Sequence, residues 1–143
     1  MYHVFSLRKY LEDNPKDVLM TQKVTLNEKK TNLGLNGTYG LYGSDEWWNN
    51  INNNIFPKKT IEGRILRKYI TGQDENIFNT IDILLGNGVV FSEGIYFNNK
   101  KDIKLYDEGV NIKILYIYDD RKAKDENGMH LKSKIVYDIY INL

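Results

Sequence analysis

The chain has 143 residues, a net charge of +1 at neutral pH and no cysteine. That length suits one domain spanning residues 1–143, able to bury roughly 68–70% of the surface its unfolded chain exposes. Missing thiols exclude disulfides, thiol nucleophiles and cysteine-ligated zinc, and interspersed charges of both signs argue against a basic nucleic-acid glove or a membrane-surface helix.

Composition leans toward β structure. There are 11 tyrosines, isoleucine and valine crowd the C-terminal half, and Ala123 is the only alanine. Aromatic and β-branched side chains fit a pleated surface, while the best helix former is nearly missing. In MYHVFSLRKYLEDNPKDVLM charges recur every few residues, so no signal-peptide core is present. No segment approaches the roughly 20 apolar residues of a membrane span, which predicts a soluble, cytoplasmic protein without membrane contact.

In chain order, Ser6 caps a short helix over Leu7 to Leu11, stopped by Asn14-Pro15. Val18 to Leu26 reads as a strand, although Leu19 and Met20 blur its alternation. Residues 27–40, rich in turn formers, read as a loop or ragged hairpin. In GLYGSDEWWNNINNN, Ser44 is a good N-cap and Asp45 and Glu46 lie where a helix dipole favours acids. Spacing of four places Trp47, Ile51 and Ile55 on one apolar stripe, with Trp48 at its edge and Pro57 as the stop.

From Thr60 the pattern is strands. TIEGRILRKYI sets Ile61, Gly63 and Ile65 on one face, and Leu66 then breaks the period, the mark of a bulge or bend. After the polar turn TGQDEN comes the clearest hairpin, with Ile77, Ile81, Ile83 and Leu85 on one arm and Val89, Phe91, Ile95 and Phe97 on the other. Asn87-Gly88 between them predicts a tight primed turn. NNKKDIKLYDEG is a polar connection holding at most a short strand or turn. Val110, Ile112, Ile114, Tyr116 and Tyr118 share one face of the next strand, and a charged loop over residues 120–132 carries an Asn127-Gly128 turn. The closing strand, with Ile135, Tyr137, Ile139, Ile141 and Leu143 alternating, pairs antiparallel with residues 110–118. The sum is a mainly β, α+β protein: a curled antiparallel sheet, or a partly open barrel of the oligonucleotide/oligosaccharide-binding (OB) type. One capping helix and a short N-terminal helix complete it.

A helix this short must dock its stripe, so Trp47 is expected inside, while Trp48, off the stripe, is a candidate contact anchor. Tyr42 can support it, although covering a barrel mouth explains Tyr39 and Tyr42 as well. GTYGLYG lacks the lysine and preceding strand of a phosphate-cradling loop. Glu93 interrupts an apolar row, most simply at a bulge or face switch near Gly94. Asp119, Asp120, Asp125 and Glu126 are assigned to a solvated hairpin tip, a charged recognition loop rather than a metal site. His3 and His130 show no serine, acid or second ligand at telling distance, so neither catalysis, cofactor nor metal is expected.

GLYGSDEWWNNI, PKKTIEGRI and YDEGVNIKILYIYD together resemble a type of small single-domain bacterial orphan protein, in which a glycine-rich turn leads into a G-S-x-E-W-W helix ahead of a β-rich half. The resemblance covers residues 39–119, leaves residues 1–38 without a counterpart and transfers no functional residue. It is to immunity proteins of bacterial toxin systems, contact-dependent inhibition included, and implies a non-enzymatic protein that neutralises a toxin or effector domain by direct contact. The expected contact patch is Asp45, Glu46 and Trp48 with Tyr42, and the segment from Asp119 to Glu126 comes second. The alternative is OB-like binding of single-stranded nucleic acid through Arg64, Arg67, Lys68 and Tyr69.

Overall fold

A computed structural model describes residues 1–72 and 77–143. Most of the turn TGQDEN, residues 73–76, lies outside the described residues.

Among the described residues the order of elements is β1 (Tyr2–Ser6), α1 (Leu7–Asp13), α2 (Pro15–Leu26), α3 (Asp45–Asn52), β2 (Lys58–Tyr69), β3 (Thr80–Leu85), β4 (Val90–Gly94), a 3₁₀ turn (Lys100–Leu105), β5 (Asn111–Lys124) and β6 (His130–Asn142). The strands form one curled, unclosed antiparallel sheet in the order β1-β6-β5-β2-β3-β4. The closing strand does lie beside β5. The chain divides into two compact units, one of Met1–Leu7, Thr60–Leu115 and Tyr137–Leu143, the other of Arg8–Lys59 and Tyr116–Val136.

In the first unit the alternation of strand side chains builds the core. Ile61 and Ile65 of β2, Ile81 and Ile83 of β3, Ile112 and Ile114 of β5, and Ile139 and Ile141 of β6 are all buried. The register of β2 on β3 slips between Ile65 and Arg67, so the bulge falls at Leu66, where the apolar period breaks. Curling shows at the edges: Asn98, just past β4, receives its side-chain carbonyl's bond from Ser6 N (2.7 Å) and donates to Ser6 O (3.0 Å) on β1. Tyr106, inside the connection read as polar, is wholly buried and donates its hydroxyl to Tyr96 O. Gly63 is sterically fixed, since an added Cβ would lie 2.5 Å from Leu84 O and 2.6 Å from Ile83 Cγ2. Gly63→Ala is therefore expected to cost about 1–3 kcal/mol by forcing β2 from β3, read out as a lower urea midpoint.

Both asparagine-glycine turns differ from the primed two-residue form. Gly88 N bonds Leu85 O, Leu85 N bonds Val89 O, and only the glycine has positive φ (83°); Asp125, Gly128 (77°) and Met129 repeat the pattern. These are three-residue loops, a turn followed by a left-handed glycine.

In the second unit the largest correction is α2: Val18 to Leu26 is helix, not strand. Pro15 opens it, a position where the missing N–H costs nothing. Its end is held by Lys122 of β5, whose ammonium donates to Val24 O, Asn27 O and Lys30 O. That one cation ties the last turn of α2 and the loop after it to β5. The charged loop also shrinks: β5 runs on to Lys124 and β6 starts at His130, with Leu35 bridged to Arg121.

Candidate functional site

The site begins with a cap. Ser44 Oγ accepts from Trp47 N (3.3 Å), starting α3. Gly40, at φ 103°, lets the preceding loop lie on that first turn, where a Cβ would meet Trp47 N at 3.1 Å. Trp47 is 0% exposed, and its indole N–H donates to Asp119 Oδ2 at 2.9 Å. Around it stand Tyr42 (ring centroids 4.9 Å), Trp48 (4.9 Å, edge-on) and Phe56 (5.6 Å, edge-on), the separations at which aromatic quadrupoles attract. Ile51 is buried beside it, but Ile55 is exposed. The helix ends at Asn52, Asn54 turns left-handed at φ 59°, and Phe56 occupies the interior in place of Ile55.

This anchoring leaves Asp45 and Glu46 exposed on the first turn, next to a half-buried Trp48. The Arg8 guanidinium lies over the Trp48 ring, 4.5 Å from its centroid, so the outward surface there is a cation stacked on an indole. Tyr42 is half-buried, and its phenol is pushed up to about 12, first by burial and then by Tyr10, Asp17 and Asp119.

Asp119 and Asp120 depart from the expected hairpin tip. Both lie on β5 and are buried, so they face no solvent loop. Asp119 Oδ1 has no hydrogen-bond partner, and burial raises its pKa against the opposing bond from Trp47. Burial also works to raise Asp120, but the Lys132 ammonium and the Thr38 hydroxyl outweigh it, and its pKa is lowered. These acids are core supports of α3 and of the loop before it. Of the four acids, Asp125 and Glu126 are exposed at the tip, and the Asp125 carboxylate accepts from Asn127 N and Met129 N of its own turn.

The basic residues of β2 are scattered by their partners. Arg67 bonds Asp82 (2.6 Å) and stacks on Tyr69 (4.4 Å), while Tyr69 donates to the same carboxylate. Ser92 and Arg67, with Tyr69, pull Asp82 down to about 2 against its burial. Lys68 meets Asp107 at 3.4 Å and Phe78 at 5.0 Å. Arg64 lines an open groove of about 700 Å³ in the first unit with Glu62, Gly63 and Leu84. Arg67 and Lys68 thus already hold carboxylates.

Glu93 pairs with Ile81 across β4 and β3, half-buried, and accepts from Gly94 N. His3 does have an acid neighbour: its Nε2 lies 2.7 Å from Asp138 and its ring stacks on Tyr140. A sequence separation of 135 residues hid that pair, which only the β1–β6 register brings together. His130 Nδ1 lies 2.6 Å from Arg121 O. Among the described residues no group of three His, Asp or Glu converges as metal ligands, and no helix is long and apolar enough to cross a membrane.

Compared with known families, residues 1–142 match the family described as immunity protein RhsI2. No curated protein matches the chain.

Proposed function

The chain belongs to the RhsI2 immunity-protein family, and from that premise we propose that it neutralises a cognate protein toxin by direct contact, in the cytoplasm and without catalysis. The observation that carries the contact reading is the build of α3. Its inner indole is pinned to Asp119, while Asp45, Glu46 and the Arg8-covered Trp48 face outward from the same turn. A rigid aromatic anchor beside exposed acids is the surface that resists truncation badly in protein interfaces. The acids complement a basic toxin surface and speed encounter. Tyr42 supports the patch from below, and Asp125 and Glu126 form a secondary charged contact.

Co-expression with the toxin encoded beside it is expected to rescue growth. Glu46→Lys and Trp48→Ala are each expected to weaken the purified complex by about tenfold or more, with thermal melting of the free protein nearly unchanged for Glu46→Lys. A toxin that kills cells equally with and without the chain, and forms no complex on size-exclusion chromatography, removes the contact reading.

A further inference from the structure

Helix α2 leaves its three largest apolar side chains outside. Its inward, half-buried side carries Val18, Thr21, Gln22, Val24 and Thr25, with Gln22 donating to Tyr42 O at 2.8 Å, and none of its residues is fully buried. Its outward side carries Leu19 (56% exposed), Met20 (66%) and Leu26 (64%). An ordinary surface helix keeps its largest apolar side chains on the inward side.

Spacing makes these residues one stripe. Lys16 and Met20, and Leu19 and Lys23, stand four apart, while Lys23 and Leu26 stand three apart, so Leu19 and Met20 lie between two exposed lysines and Leu26 follows on the same side. Asp17, the acid of the first turn, is turned aside and accepts from the Tyr10 hydroxyl (3.1 Å). The helix has no side-chain N-cap bond, and four of its 12 residues are Val or Thr. Such a segment is marginal by local propensity and gains from a cover over its apolar side.

We propose that this stripe, Leu19 and Met20 between Lys16 and Lys23 with Leu26 just beyond, is a second docking surface for the toxin, and that it receives an apolar patch rimmed by carboxylates. The proposal rests on the contact reading above and adds a surface to it. Charge selects the occupant. A second copy of the chain would bring Lys16 and Lys23 against the same lysines, whereas an acidic rim pairs with both. Removing apolar area from water supplies the attraction, and the lysines set orientation and rate.

The test uses the purified toxin domain encoded beside this chain as the probe, with binding measured by calorimetry and stopped flow. Leu19→Ser with Met20→Ser is expected to weaken binding by about tenfold or more, and Leu19→Glu with Met20→Glu to weaken it further. Free-protein melting should move little in both, because the replaced side chains are exposed. Lys16→Glu with Lys23→Glu should slow association and flatten its salt dependence. On complex formation the α2 amides should gain protection from hydrogen exchange.

Wild-type affinity in the serine pair overturns the proposal. So does a wild-type dimer in sedimentation that the serine pair dissociates, or binding to phosphatidylserine vesicles that the pair abolishes while toxin affinity is untouched. If Glu46→Lys weakens the complex and the serine pair does not, α2 fails alone; if wild type binds no toxin, the contact reading fails and α2 with it.

Discussion

Trp47→Ala is expected to lower the free energy of unfolding by about 3–5 kcal/mol, the range for deleting a large buried aromatic. The effect should sit near the upper end for two reasons. The indole is wholly buried and touches three other rings, so the space it leaves is lined by Tyr42, Trp48 and Phe56, which cannot all collapse into it. Its N–H also donates to Asp119 Oδ2, while Oδ1 of the same carboxyl lacks a partner. Truncation therefore takes from a buried carboxyl its side-chain donor and leaves it only the backbone bond from Asp120 and the Lys132 charge, a cost added to the cavity. Against a typical total of about 5–15 kcal/mol this is a large share. Urea melts should show the midpoint falling sharply, and protection against the co-expressed toxin should fall with it. Trp47→Phe separates the two contributions: it keeps most of the packing, loses the N–H, and should fall between wild type and alanine. A phenylalanine variant as unstable as alanine would place the weight on the hydrogen bond.

The sheet was legible because its signals are local and redundant. Period-two runs at Ile81/Ile83 and Ile139/Ile141 require one face inward, and the slip at Leu66 marks the bulge in the β2–β3 register. The cap at Ser44 and the Trp47–Ile51 spacing placed α3 for the same reason. What failed was long-range. Val18, Thr21, Val24 and Thr25 carry strand propensity, but Pro15 at the first position and Lys122 at the far end hold α2 as a helix, and that lysine lies 98 residues from Val24. Tertiary context overrides propensity there. Tyr106 looked polar among its neighbours, yet its hydroxyl finds Tyr96 O and its ring fills the core.

Asp119 and Asp120 misled in the same way. Two adjacent acids at the end of an apolar strand suggest solvent, because an unpaired buried carboxylate is costly. Their partners, Trp47, Thr38 and Lys132, come from three other segments. The candidate patch was half legible: the first turn of α3 exposes Asp45 and Glu46 on helical geometry alone, while the Arg8 guanidinium over Trp48 needed coordinates. The outward stripe of α2 was out of reach, since reading the segment as a strand puts Leu19 and Met20 on opposite faces.

The support of α3 should also be visible as a pH effect, through Asp119. Its folded pKa lies above the ordinary 3.8, chiefly because burial penalises the charged form. The unfolded chain then gives up its proton first, so from pH 3.8 upward the native state loses stability until the folded group has also titrated, and the loss stays constant above that. Asp82 runs the other way, since its pKa is held down to about 2 and its contribution fades as pH falls from 3.8 through that value. The two windows meet at 3.8, where Asp82 acts below and Asp119 above. Asp119→Asn isolates the second. The amide keeps a carbonyl for the Trp47 N–H but carries no charge, so the stability of the variant relative to wild type should climb as pH rises above 3.8 and then level off. The variant's melting point relative to wild type should therefore be higher at pH 7 than at pH 3. Asp119→Ala removes the acceptor instead and strands a buried indole N–H, which costs about 1–3 kcal/mol at low pH, where charge no longer matters. Thermal melts from pH 3 to 8 on the three proteins read both effects at once. Parallel curves for wild type and Asp119→Asn would mean that this carboxyl titrates as it does in water, and the tie between α3 and the sheet would then be an ordinary hydrogen bond rather than one held against a buried charge.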